Sequence, residues 1–396
     1  MKLSDNQQGK NGWRICAIFA PQATINSTTT IVSTLHLLEP LARQIFAITG
    51  NFPESAVTAE KVQIINVKNT SSTNQSMLVR VPGFIILQLK MTYRLVQIAS
   101  KIDVVFLAAG ASTLFLPALL TKLLGKKLVS LRPGTDSLQK TTKITYQKML
   151  FGLGRYIFLP IIGVLERLNY HLSDKIVVFL PDFTSPALKR YTNKISFSGS
   201  RFYVDIKSFK VEKNLDSREN LVGYIGRFEE IKGVMNFVKA IPLILRESAG
   251  VKFMVGGDGS LRDKIEKEIK DDSLSNEVTL TGWISHHKLP QYLNELKLLV
   301  IPSYTEVGPH MVFEAMACGT LVLATPVGIM PDVIRDGETG FIMEDNSPEC
   351  LARNVIRALN HPNLNEIAKA ARQLVEKEYT HEAAVERYRS ILASLR

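Results

Sequence analysis

Cysteine is scarce: Cys16, Cys318 and Cys350 are the only three in 396 residues. Thiols so few and so scattered make neither a disulfide framework nor a metal cluster, and they point to a reducing compartment. His286 and His287 have no third ligand at metal-site spacing, so they read as exposed loop residues and no metal is called for. Long apolar runs are missing too. The longest, 149–165, is broken by Arg155 and Pro160 and falls short of the about 20 residues a spanning helix needs. The opening MKLSDNQQGKNG is polar, and the apolar run after Trp13 is too short and wrongly flanked for a signal peptide. A protein without a membrane span, placed in the cytoplasm, is expected.

Acidic residues are sparse in one half only. Residues 1–217 hold 27 Lys and Arg against 12 Asp and Glu, net +15, whereas 218–396 are net −4. A basic first half suits a polyanionic partner, an anionic membrane surface or simply a soluble surface. No RNA- or DNA-reading motif and no aromatic interleaving accompany the charge, which argues against a nucleic-acid-binding protein. With 45% hydrophobic and 21% charged residues, the length suits two globular domains, each with its own core.

Short apolar runs alternate with helical periodicity through both halves. Strand signals at 13–20, 44–48, 62–67, 103–107, 127–131, 176–180 and 202–205 are spaced by helices at 31–43, 81–100, 116–124 and 149–171. The stretch 206–220 is charged, polar and aperiodic, and reads as a linker. The rhythm then restarts with strands at 221–225, 251–255, 278–282, 298–301 and 321–324, and with helices at 233–246 and at 260–270, the latter with Ser260 as its cap. The expected fold class is α/β, with two Rossmann-like doubly wound domains facing across a cleft. Residues 1–205 form the first, 206–220 the linker, 221–379 the second, and 380–396 a terminal helix.

The most informative stretch is PSYTEVGPHMVFEAMACGT, where Glu306 and Glu314 stand eight positions apart around a loop-to-helix switch. An apolar strand ends at Pro302, Gly308 and Pro309 turn the chain, and a helix runs from His310 to its stop at Gly319. The opening turn of a helix offers free N–H groups and a positive dipole end to a phosphate, while carboxylates suit hydroxyls. A sugar nucleotide presents both. GRFEEIKG places Arg227 at a strand end with Lys232 before a helix, a pair able to hold a diphosphate, although Glu229 and Glu230 are placed to neutralise them. GGDG at 256–259 lacks dinucleotide spacing and is equally a tight turn. In the first half, LRPGTD sets Arg132 and Asp136 at a strand end, for an anion and a hydroxyl or as a turn with a cap. Residues 142–156 alternate basic with apolar and aromatic side chains, compatible with core packing or a membrane-facing surface.

Together, GRFEEIKG, VGGDG, LTGW, PSYTEVGPHMVFEAMACGT and TPVGIMPDVIRDGETGF resemble, in order and spacing, the retaining glycosyltransferases of the GT-B fold, and most closely glycosyltransferase family 4 (glycosyl transferases group 1). The resemblance covers roughly 218–380. It implies that Arg227 and Lys232 bind the donor diphosphate, that Glu306 holds the donor sugar, and that Glu314 hydrogen-bonds the ribose. It further implies that Gly226, Gly282, Gly308, Pro309, His310 and Met311 line the donor, and that the final helix crosses back onto the first domain; by their strand-end position, Arg132 and Asp136 are the candidates for the acceptor or sugar side. The chain departs from the pattern with Ala20-Pro21-Gln22-Ala23 in place of a Gly-Gly loop, Arg132 in place of a histidine, Val307 in place of glycine and Asp332 in place of glutamate.

The expected activity is therefore metal-independent, retaining sugar transfer from a nucleotide-diphosphate sugar, with no cofactor, to a glycan or lipid-linked acceptor. A peripheral contact with anionic membrane, at its inner face, goes with the basic first half. A glycosidase or sugar-nucleotide epimerase is the rival reading, since both use paired carboxylates, but a hydrolase has no need of a diphosphate clamp.

Overall fold

The computed structural model describes residues 12–20, 25–53, 56–57, 59–68, 77–108, 110–132, 154–178, 188–197, 203–306 and 310–396. They form two compact units, one of Met1–Arg201 together with Ala384–Arg396 and one of Phe202–Ala383.

The first unit runs β1 (Trp13–Phe19), α1 (Ile25–Leu38), β2 (Ala42–Thr49), β3 (Val62–Asn66), α2 (Met77–Ile98), β4 (Val104–Ala108), α3 (Phe115–Leu123), β5 (Lys127–Arg132), α4 (Gly154–Leu172), β6 (Lys175–Val178) and β7 (Ile195–Phe197). Its strands pair in parallel in the order β3-β2-β1-β4-β5-β6-β7. Parallel strands are covered on both faces, which is why β4, and β1 from Ile15 onward, read as unbroken apolar runs. Val105 and Leu107 point to a core shared with Leu87, Met91, Leu95 and Ile98 of α2.

The second unit repeats the pattern: β8 (Leu221–Ile225), α5 (Val234–Glu247), β9 (Lys252–Gly256), α6 (Arg262–Asp271), β10 (Val278–Gly282), α7 (Leu289–Glu295), β11 (Leu298–Ile301), α8 (His310–Ala317), β12 (Leu321–Ala324), α9 (Met330–Val333), β13 (Phe341–Ile342), α10 (Pro348–Leu359) and α11 (Leu364–Glu378). The sheet order is β10-β9-β8-β11-β12-β13, all parallel. The last helix, α12 (His381–Ala393), joins the first unit from Ala384 onward, with the Tyr388 ring 6.5 Å from Phe106.

Several local expectations are corrected. α1 takes in the Thr-rich segment and stops at Leu38, because Pro40 has no N–H for an α-helical bond, and Glu39–Leu41 tighten into a single 3-10 turn. Residues 203–205 form no strand; Val204 instead donates to the carbonyl of Tyr379. Ser260 does not cap α6, whose cap position is Leu261 without a side-chain bond. The 206–220 stretch packs into the second unit around Arg218, which is only 3% exposed.

Candidate functional site

In a doubly wound sheet, ligands sit beyond the carboxyl ends of the strands where the strand order reverses. In the second unit that point lies between β8 and β11, and the sequence candidates gather there. β8 delivers Gly226 and Arg227, and β11 delivers the loop that carries Glu306. Two glycines, Gly233 after β8 and Gly328 after β12, let neighbouring loops press against the one that carries Glu306. A Cβ on Gly233 (φ +70°) would stand 2.0 Å from the carbonyl oxygen of Pro302, and one on Gly328 (φ +61°) 1.8 Å from that of Glu306. Only glycine allows such approaches. Tyr304 donates its N–H to the carbonyl of Ile231 at 3.0 Å, tying the Lys232 turn to the Glu306 loop.

The result is an ion pair between Lys232 Nζ and Glu306 Oε1. Glu306 is 8% exposed and also accepts from Ser303 Oγ at 2.9 Å, while Thr325 Oγ1 holds the carbonyl of Ser303 at 2.6 Å. One carboxylate is thus buried, oriented by a hydroxyl and set against a cation. Arg227 takes a different partner. Its Nη1 lies 2.6 Å from Glu229 Oε1 in an exposed pair, and its carbonyl accepts from Tyr224 Oη at 2.8 Å. Exposed pairs are weak, so Glu229 yields readily to a stronger anion.

Glu314 lies on α8 and is 6% exposed. Its Oε1 is 2.8 Å from His286 Nε2, whose ring packs 5.3 Å from Phe209. His286 is the exposed loop residue that the sequence suggests, and in that position it also engages Glu314. Nothing in the spacing signals the pair, because the partners are 28 positions apart on separate elements. Hydrogen bonding to Glu314 raises the His286 pKa above its ordinary 6.5. A raised folded-state value means the pair stabilises fully below about pH 6.5 and loses its contribution as pH rises through the raised value. With 74% of the imidazole exposed, the effect stays within about 1 kcal/mol. His286→Ala should therefore melt below wild type at about pH 5.5 and converge with it at about pH 8.5, as read by thermal denaturation at both.

His310 and Met311 open α8, whereas Gly308, Pro309 and Val307 lie outside the described residues. Gly282 (φ +67°) closes β10 in left-handed geometry with open space around its α-carbon. The GGDG segment is a tight turn: a Cβ on Gly257 would stand 1.8 Å from the carbonyl oxygen of Gly226. Burial pushes the Cys318 thiol up to about 12, the behaviour of a packing residue. In the first unit, Arg132 ends β5, 6% exposed, with its guanidinium 5.7 Å from the centre of the Tyr170 ring. Its Nη1 has no hydrogen-bond partner among the described residues, and Asp136 lies outside them. Also among the described residues, no cluster of His, Cys, Asp and Glu is placed to hold a metal, and no helix is long and apolar enough to cross a membrane.

Residues 205–381 match the family model described as Glycosyl transferases group 1. The second unit is a glycosyl transferases group 1 domain. Over 172 residues the chain is 33% identical to the alpha-D-kanosaminyltransferase of Streptomyces kanamyceticus, covering 43% of this chain and 44% of that one. It is 29% identical to the poly(ribitol-phosphate) alpha-N-acetylglucosaminyltransferase of Staphylococcus aureus, over 44% of this chain and 36% of that protein. The matched part thus spans less than half the length of these curated relatives. Among solved structures, Anabaena Alr3699/HepE in complex with UDP is 15% identical, with a TM-score of 0.71 over 96% of this chain and 99% of that one. That likeness shows the fold, GT-B, with the group 1 domain as its second half.

Proposed function

We propose that this chain is a retaining, metal-independent glycosyltransferase that moves a sugar from a nucleotide-diphosphate sugar to a glycan or lipid-linked acceptor on the cytoplasmic side of a membrane. One observation carries the proposal: the Glu306 carboxylate, buried and held by Ser303, is paired with Lys232 at the strand-order reversal of a group 1 domain. The named activities of the two curated relatives, both sugar transfers, support the same class.

Arg227 exchanges Glu229 for the donor diphosphate, and Lys232 offsets the charge that builds on the leaving group. Glu306 holds the donor sugar, and Glu314 accepts from the ribose hydroxyls. Gly226, Gly282, Gly308, Pro309, His310 and Met311 shape the donor seat, with the first turn of α8 offering N–H groups to phosphate. Arg132 and Asp136 serve the acceptor or sugar side. No cofactor takes part. The Lys232 pairing weighs against a glycosidase, whose two carboxylates must flank a scissile bond instead.

The test pairs common UDP-, GDP- and ADP-sugars with free and lipid-linked oligosaccharides in the presence of EDTA, and follows nucleoside diphosphate release and the anomeric coupling of the product. Release with the donor's own anomeric configuration supports the proposal. Inverted product, or activity lost in EDTA and restored by magnesium, would overturn the mechanism.

A further inference from the structure

The apolar surface of the first unit is gathered on one side. Of the fourteen large hydrophobic residues recorded as exposed among the described residues, ten lie on α2, on α4 and at the end of α3. On α2 they are Ile85, Ile86, Leu89, Tyr93 and Val96, each between 48% and 61% exposed. At about 100° per residue these five fall within a single arc of about 100°. The buried residues Leu87, Met91, Leu95 and Ile98 fall on the opposite side, against β4. The helix is thus apolar on two faces, and its outer one meets solvent. α3 packs against both α2 and α4, and α4 adds Ile161, Val164 and Leu168 at i, i+3 and i+7, each at least 40% exposed.

Charge indicates what covers this face. Between residues 61 and 102 the chain has six Lys and Arg and no Asp or Glu. Lys90 and Arg94 follow the outer stripe around the helix, both exposed and neither ion-paired among the described residues. An apolar strip with Tyr93 within it and unneutralised cations on its flank is the pattern of a helix lying in the headgroup layer of an anionic bilayer. A protein partner would need carboxylates spaced to match, whereas a lipid surface supplies negative charge at any register.

We propose that the outer face of α2, continued by α4, docks the chain on an anionic lipid surface. Residues 142–156, the stretch the sequence offers for this role, have side chains outside the described residues, and the proposal does not draw on them. It is also independent of the donor site in the second unit.

The test is co-sedimentation of the full chain with phosphatidylcholine vesicles, with and without about one-third phosphatidylglycerol, alongside sedimentation velocity without lipid. Wild type should partition onto the mixed vesicles and leave the neutral ones. Leu89→Glu/Val96→Glu should reduce partitioning at least about tenfold, and Lys90→Gln/Arg94→Gln should do so too, at about fivefold per cation lost. All three proteins should show the wild-type melting temperature. No binding of wild type to mixed vesicles overturns the proposal, as does binding that survives Leu89→Glu/Val96→Glu. A dimer that this pair of substitutions dissolves, with no vesicle binding, would assign the face to a second copy instead.

Discussion

Glu306→Gln is expected to lower the rate of sugar transfer by about 10²- to 10³-fold while the affinity for nucleoside diphosphate falls far less. The amide keeps the shape of the side chain and an acceptor for Ser303 Oγ at 2.9 Å. It removes the negative charge that faces Lys232. A group that acts on the donor sugar as the glycosidic bond breaks is felt in the transition state, so the loss falls on kcat rather than on binding. Were Glu306 only a partner that seats Lys232, freeing the lysine would change diphosphate affinity and melting temperature and leave kcat close to wild type. Steady-state kinetics and calorimetric binding on one preparation separate the two.

Arg218→Ala should cost about 3 kcal/mol, a fall of about 6–12 °C in melting temperature for a unit of this size, with wild-type kinetics well below the transition. The guanidinium is 3% exposed and donates to the carbonyls of Lys213, Leu293, Leu296 and Cys318 and to Thr320 Oγ1. It thus fastens 213–218 to the end of α7 and to the turn after α8 that closes at Gly319. Burial lowers its pKa from the ordinary value, yet a guanidinium stays charged, and carbonyl dipoles are what meet that charge here. Truncation takes the donor away from all five of these acceptors and leaves a cavity among them. Arg218→Lys recovers little, since an ammonium has three donors where the guanidinium has five. A melt indistinguishable from wild type would show that the segment is a linker after all.

Arg218 also shows where sequence reading stops. The 206–220 stretch is polar and aperiodic, the usual signature of a connector, and nothing local tells a solvated arginine from one buried among carbonyls. The strands were far more legible. β4, β8, β11 and β12 sit in parallel sheets covered on both faces, so each reads as an apolar run without alternation. β7 and β13, at three and two residues, are too short to leave a pattern and exist because a neighbour offers them an edge.

The candidate site divides the same way. Glu306 and Lys232 could be singled out because turn chemistry and a strand end place each of them. That they meet depends on Gly233 fitting against Pro302, a tertiary contact with no periodicity. His286 carries no such signal: it lacks the third ligand of a metal site, and its carboxylate partner Glu314 stands 28 positions away on another element. Glu230 was a reasonable partner for Lys232 by proximity in the chain, and Glu306 is the partner instead, 74 positions away.

The most direct measurement of the central claim is a thermal-shift series with UDP, GDP and ADP on wild type, Arg227→Ala and Glu314→Ala. One nucleotide is expected to stabilise wild type by about 2.7 kcal/mol at a hundredfold excess over its Kd, and both substitutions to weaken that shift. No shift with any of the three, or a shift that both variants retain in full, would contradict it.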